Sequence, residues 1–341
     1  MEFHQPFINY LLALYLALHV CLPFVEPALG SESEGAAENE LEVIAHEEGE
    51  DEADHSHADV GAPDTWAQRF SKCAGERQSP IDIQTDDTIP AVFPAWHFQD
   101  FDTADRSVVL ENTGYSAQLS VETQYPSVEG GGLNNKYVFD QCHFHWGDKN
   151  DNGSEHKVNG ESFSMEIHFV HHNSRFNNLS EAIASGQHDA LAVLAVFAKV
   201  GGEGNEGLER LIRALREVTA WGQRIHIEKG FSLSVILPEN TDNFYRYGGS
   251  LTTPPCSQIV TWTVFETPIE ISPLQIEHFR ELKSRLGEPI RVNVRPHQML
   301  NGRMVLANYP SCTLVSSAPR QAVIEYWSIF FSLASLALLR A

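Results

Sequence analysis

Gln141-Cys142-His143-Phe144-His145-Trp146-Gly147 and Met165-Glu166-Ile167-His168-Phe169-Val170 are the two stretches that decide the fold. Both read as strands, on which side chains alternate between faces with a period of two. His143 and His145 therefore share a face with Gln141, while Cys142, Phe144 and Trp146 share the other. In the second stretch Glu166, His168 and Val170 share one face, and Ile167 and Phe169 the opposite one. Three imidazoles with an open fourth position are the ligand set of a catalytic zinc rather than of a closed structural one. Gln141 and Glu166 each precede a histidine by two residues on the same face. A hydrogen-bonding partner that fixes an imidazole tautomer belongs there.

A His-x-His pair alone also fits an ordinary half-buried pair or a cupin-type metal site. His168, with a carboxylate at the same offset, favours a ligand set over the ordinary pair. The cupin reading wants a Glu a few residues later, where this chain has Trp146-Gly147-Asp148-Lys149-Asn150. The alternation predicts strands over 136–146, 162–172, 190–200 and 257–265. Leu, Ile, Leu and Val recur at helical spacing over 208–218. Ser272-Pro273 opens a second helix predicted to run to Leu286, with Ser at the cap and Pro at the first helical position.

Further motifs frame these strands. They are Gln78-Ser79-Pro80-Ile81-Asp82-Ile83, Gly153-Ser154-Glu155-His156, Ser250-Leu251-Thr252-Thr253-Pro254-Pro255, Val260-Thr261-Trp262, and Asn293-Val294-Arg295-Pro296 followed by Gln298. In this order and spacing the chain resembles the α-class carbonic anhydrases of the extracellular, membrane-anchored type, from about Trp66 to about Ala307. The resemblance implies a mostly β fold with short helices (α+β), a single domain around a large, twisted, mainly antiparallel sheet with a conical zinc site. It assigns zinc to His143, His145 and His168. Glu155 and Thr252 look like the family's gatekeeper pair, with the Thr252 hydroxyl donating to Glu155. Val170, Val193, Leu251 and Trp262 resemble its apolar carbon dioxide pocket, and Thr253 and Gln118 match positions lining the cone. In carbonic anhydrases, the standard case of this effect, zinc lowers the pKa of water to about 7.

Two departures from the family pattern stand out. Leu110-Glu111-Asn112-Thr113-Gly114-Tyr115 aligns with the proton-shuttle segment, and fast members carry histidine where this chain has Tyr115. Histidine titrates near pH 6.5, whereas tyrosine, with a pKa near 10, is ionised in only about one molecule in a thousand at pH 7. The expectation is slowed proton export, unless another rim histidine serves as relay. Upstream, only Trp66 remains of the family's N-terminal aromatic cluster.

The 341 residues carry a net charge of −23, to which segment 31–64 contributes thirteen acidic residues and no Lys or Arg. So negative a chain is unsuited to nucleic-acid phosphates. The segment is too acidic and too poor in apolar residues to pack, and reads as a disordered spacer. Its carboxylates also suit calcium or mineral contact. The apolar N-terminus with Ala28-Leu29-Gly30 reads as a signal peptide over 1–30, an uncleaved anchor being the alternative. The domain is expected over 65–310, then a stalk over 311–317.

Ser316-Ser317-Ala318, a spacer of about eight residues and an apolar tail over 326–339 fit a GPI-anchor signal, 318–341, with attachment at Ser316 or Ser317. The tail is short for a spanning helix of about 20 residues, and extending it would bury Glu325, which favours GPI over a transmembrane anchor.

A secreted chain can carry disulfides. Cys73 and Cys256 match positions bridged in extracellular relatives, Cys142 reads as a buried thiol, and Cys312 lies past the domain. Secretion also makes Asn152-Gly153-Ser154 and Asn178-Leu179-Ser180 glycosylation acceptors, the first in a constrained turn. The reading that results is a cell-surface zinc enzyme for reversible carbon dioxide hydration to bicarbonate. A non-catalytic binding protein on the same fold is the competing one.

Overall fold

A computed structural model describes residues 62–308, except 203 and 228. Its strands run, in chain order, over Asp82–Ile83 (β1), Ile89–Ala91 (β2), His97–Gln99 (β3), Val108–Asn112 (β4) and Ala117–Val121 (β5). They continue over Ser127–Glu129 (β6), Tyr137–Trp146 (β7), Lys157–Val158 (β8), Met165–Asn173 (β9) and Leu191–Val200 (β10). The last five are Arg224–His226 (β11), Phe244–Gly249 (β12), Val260–Phe265 (β13), Ile269–Ile271 (β14) and Leu306–Asn308 (β15). The α-helices are short: Trp66–Arg69 (α1), Leu179–Ala184 (α2), Glu209–Leu215 (α3) and Pro273–Arg280 (α4).

Thirteen strands form one sheet with the main order β11-β4-β5-β7-β9-β10-β13-β12-β15-β2. Most pairs are antiparallel, but β10 runs parallel to β13 and β14, and β15 parallel to β2, so the sheet is mixed. Leu191–Ala198 of β10 is buried throughout and apolar throughout, the pattern of a strand covered on both faces, as parallel strands are.

Register builds one face of the sheet from residues two apart. Gln118 of β5 opposes His143 of β7, which opposes His168 of β9. One step along, Gln141, Val170, Val193, Trp262 and Tyr247 form the next row across β7, β9, β10, β13 and β12. On the other side of the histidine row, His145 opposes Glu166. The two histidine strands thus bring His143, His145 and His168 together by pairing alone.

The opposite face carries Cys142, Phe144, Trp146, Ile167 and Phe169 into the larger core, where Leu211, Ile212 and Leu215 of α3 and Ile276 and Phe279 of α4 cover them. The Phe144 and Phe279 ring centroids lie 5.0 Å apart. Cys142 is a free, fully buried thiol, which behaves as a small apolar group.

Some expected boundaries move. Helix α4 starts as expected: Ser272 accepts from the Gln275 amide at 3.1 Å and Gln275 Oε1 from the Ser272 amide at 3.0 Å. It ends at Arg280 rather than Leu286, because the Lys283 amide goes to Thr219 O at 2.8 Å and the chain turns back through Gly287. The strand expected from residue 257 starts at Val260, since the Ser257 carbonyl instead accepts from the Leu251 amide. A 3-10 turn, Pro63–Thr65, spans the expected boundary at residue 64.

The predicted signal peptide, residues 31–61, the stalk, Ser316, Ser317, Cys312 and the tail lie outside the described residues. Among the described residues, no helix is long and apolar enough to cross a membrane.

Candidate metal centre

Three hydrogen bonds orient the three histidines. His143 Nδ1 donates to Gln141 Oε1 at 2.8 Å, and His168 Nε2 to Glu166 Oε1 at 2.6 Å. His145 Nδ1 donates to the backbone carbonyl of Asn293 at 2.8 Å. With those nitrogens occupied, a metal would be met by Nε2 of His143, Nε2 of His145 and Nδ1 of His168. One ligand atom from each of the three lies within 4.8 Å of the others. The rings pack at centroid distances of 4.5 to 5.2 Å.

The predicted partners Gln141 and Glu166 are therefore in place. The third partner, Asn293, is not readable as such from the sequence, because it acts through its main chain. Its side chain secures the same strand: Oδ1 accepts from the Trp146 amide at 2.7 Å, and Nδ2 donates to Phe144 O at 2.9 Å.

Glu166 is fully buried and anchors a wider network. Its Oε1 also accepts from His156 Nδ1 at 2.6 Å, and its Oε2 from the His156 amide at 2.7 Å. His156 Nε2 lies 2.6 Å from the Tyr247 hydroxyl, which donates to Ser79 Oγ at 2.8 Å. Burial pushes the Glu166 carboxyl up, but His156 and His168 outweigh it and hold the group well below the usual carboxylate range. His156 and Ser79 stand in sequence motifs that do not by themselves assign this role; the one local signal is the position of His156 next to Glu155.

Glu155 is buried beneath the histidines. Its Oε1 accepts from the Arg295 amide at 2.8 Å. Its Oε2 has no hydrogen-bond partner and lies 3.6 Å from His145 Nε2 and 3.9 Å from His168 Nδ1. The expected hydrogen bond from Thr252 to Glu155 is not made, because that oxygen faces the imidazoles instead. His145 Nε2 is likewise buried without a hydrogen-bond partner, and burial lowers the pKa of this ring. Buried polar atoms almost always have partners. An orphaned carboxylate oxygen and an orphaned ring nitrogen, 3.6 Å apart beside two further imidazoles, fit a cation with an open coordination position.

A cavity of about 210 Å³ opens onto this cluster. Val170, Val193, Leu251 and Trp262 line one side, with Leu179 and Ile183 of α2, which the sequence reading did not single out. Gln118, Gln141, Thr252, Thr253 and Tyr115 supply polar lining, and His143 and His168 reach its surface. Pro254 and Pro255 complete the loop after Thr253, and Cys256 behind them is bonded to Cys73, packed on Trp66 and Phe70. The Tyr115 hydroxyl donates to Asn293 O at 3.0 Å. Burial, then the Glu155 carboxylate, raises its pKa further above the ordinary tyrosine value.

The two acceptor asparagines differ. Asn178 is exposed and caps α2 through Oδ1, which accepts from the Glu181 amide. Asn152 uses both ends of its amide, Nδ2 donating to Asp148 at 2.7 Å and Oδ1 accepting from the Lys149 amide at 3.0 Å.

The chain is similar in sequence to known proteins. Carbonic anhydrase 12 of Homo sapiens is 38% identical over 215 residues, 62% of this chain and 59% of the human protein. Carbonic anhydrase 15 of Mus musculus is 33% identical over 272 residues, covering 75% of this chain and 82% of the mouse protein. Carbonic anhydrase 7 of Mus musculus is 37% identical over 256 residues, covering 72% and 94%. The profile of the eukaryotic-type carbonic anhydrases matches residues 61–309, the whole of the described domain, and the chain belongs to that family.

Proposed function

We propose that the chain hydrates carbon dioxide reversibly to bicarbonate and a proton, on a zinc ion held by His143, His145 and His168. The observation that carries this reading is the set of three oriented imidazoles beside a cavity with an apolar wall. Bound there, zinc would supply a water acidic enough to act as nucleophile near neutral pH.

The chain's own residues do the rest. Gln141, Glu166 and the Asn293 carbonyl each accept a hydrogen bond from one imidazole N–H, which fixes the tautomers and turns the opposite nitrogens inward. Val170, Val193, Leu251 and Trp262 give carbon dioxide a surface that asks for no hydrogen bonds. Thr252 stands at the cavity with one hydroxyl proton to donate. Turned to Glu155 Oε2, which has no other hydrogen-bond partner, that hydroxyl would accept only from a ligand carrying a proton of its own. Tyr115 offers no neutral-pH relay, so we assign proton export to solution buffer.

The sequence supports export of the chain, attachment to the outer membrane face by a GPI anchor at Ser316 or Ser317, and a solvated spacer over 31–64. The spacer's carboxylates would meet calcium or mineral only weakly.

Metal analysis of the purified protein, with carbon dioxide hydration measured with and without a sulfonamide, tests the central claim. Stoichiometric zinc and sulfonamide-sensitive hydration are expected. A protein that takes up no zinc, and is no faster when zinc is supplied, overturns it.

A further inference from the structure

His145 differs from the other two histidines in what holds it. The acceptors for His143 and His168 are side chains on their own strands, whereas His145 relies on a backbone carbonyl 148 residues away, that of Asn293. Residues 291–300 belong to no helix or strand, so no ladder fixes that carbonyl. Its position depends on what Asn293 itself bonds. The Asn293 amide donates to Trp146 O at 3.2 Å, and its side chain reaches Phe144 O, Trp146 N and Tyr115 O.

The carbonyl oxygen itself has two lone pairs and can serve two donors. His145 Nδ1 takes one at 2.8 Å, and the Tyr115 hydroxyl takes the other at 3.0 Å. The Tyr115 and His145 rings meet edge to face, with centroids 6.5 Å apart. Tyr115 and Asn293 are thus tied twice, hydroxyl to carbonyl and amide to carbonyl, across 178 residues of sequence.

We propose that Tyr115 is a positioning residue for the metal ligand His145, acting through the Asn293 carbonyl that both of them bond. A backbone acceptor cannot be removed by substitution. The hydroxyl of residue 115 is a side-chain handle that bonds this carbonyl directly, by which the sequence can adjust it. Tyrosine here exchanges a titratable relay for an anchor. The inference rests on the metal reading above and adds to it a role for a residue otherwise counted as a lost shuttle.

The test compares the zinc-loaded protein with Tyr115→Phe and Tyr115→Ala, by chelator competition for zinc and by NMR of ¹⁵N-labelled histidine. Losing a direct ligand partner typically costs about 10–100-fold in metal affinity. Tyr115 stands one bond further out, so Tyr115→Phe is expected to raise the zinc dissociation constant about 3–10-fold. The His145 Nδ1–H resonance should move, while those of His143 and His168 stay. Tyr115→Ala should weaken zinc at least as much.

If Tyr115→Phe keeps the wild-type zinc constant and an unmoved His145 resonance, the inference is overturned, whatever Tyr115→Ala does, since only ring packing then matters. A wild-type protein that binds no zinc overturns the metal reading itself. Zinc in the wild type with a silent Phe variant removes this inference alone.

Discussion

Glu166 accepts hydrogen bonds from His168 and His156 on one oxygen, each at 2.6 Å, so a single buried carboxylate couples a candidate metal ligand to the hydroxyls of Tyr247 and Ser79. Replacing it removes the orienting acceptor of His168. Glu166→Ala is expected to weaken zinc about 10–100-fold. Leaving the buried His156 and His168 N–H groups without their acceptor also costs about 1–3 kcal/mol of stability for each. Chelator competition and urea denaturation measure the two effects.

The same carboxylate sets a pH dependence. Its folded-state pKa lies well below the ordinary 4.5. The unfolded chain therefore binds more protons in this range, and stability rises with pH. The contribution is fully present above the unfolded value near 4.5 and is lost as pH falls through the depressed folded value. Urea titrations of the metal-free protein at successive pH values below neutrality should show the midpoint falling on the acid side. In Glu166→Gln that fall should be smaller.

The bond between Cys73 and Cys256, 183 residues apart, closes most of the domain and pins the loop that carries Thr252 and Thr253. Cys73→Ser with Cys256→Ser should lose about 2–4 kcal/mol by denaturant unfolding. Hydration should fall as well, because the Thr252 loop loses its tie to the segment around Trp66. Cys142, fully buried and with its thiol pKa pushed up by burial, should resist alkylation in the native protein and react once it is unfolded; peptide mapping would show which.

How much of this was legible in the sequence follows from how each residue acts. His143, His145, His168, Gln141 and Glu166 were readable because strand alternation fixes which side chains share a face, and pairing β7 with β9 needs no more than that. The apolar wall of Val170, Val193, Leu251 and Trp262 and the Cys73–Cys256 pairing came from resemblance. The Asn293 carbonyl was not readable, since any residue supplies a carbonyl and only the tertiary fold aims one. Leu179 and Ile183 lay hidden in a one-and-a-half-turn helix whose apolar pair looks like ordinary packing. The end of α4 was missed because Thr219, far away in the chain, captures the Lys283 amide. The parallel pairing of β10 with β13 is also a matter of topology, which a run of apolar residues does not specify.

The two asparagine acceptors should not be used equally. Oligosaccharide attaches to Nδ2, and in Asn152 that atom donates to Asp148 within a tight turn. Asn178 caps its helix with Oδ1 alone and is exposed. Protein from a secreting cell should carry glycan at Asn178 and not at Asn152, by glycopeptide mass spectrometry. Occupancy at Asn152 would contradict the geometry.

Tyr115 bears on proton export and on zinc retention at once. The only histidines among the described residues lining the cavity are His143 and His168, so no other imidazole there stands ready to carry protons out. Added imidazole buffer should therefore raise kcat several-fold while leaving kcat/KM unchanged, since the proton leaves after carbon dioxide has reacted. Tyr115→His should remove most of that buffer dependence, because an imidazole titrates near pH 6.5. It should also hold zinc less tightly than the wild type, for the hydroxyl on the Asn293 carbonyl is gone. Faster proton export bought with weaker metal retention is an outcome that a relay role alone would not produce, and stopped-flow hydration beside chelator competition on one variant measures both halves.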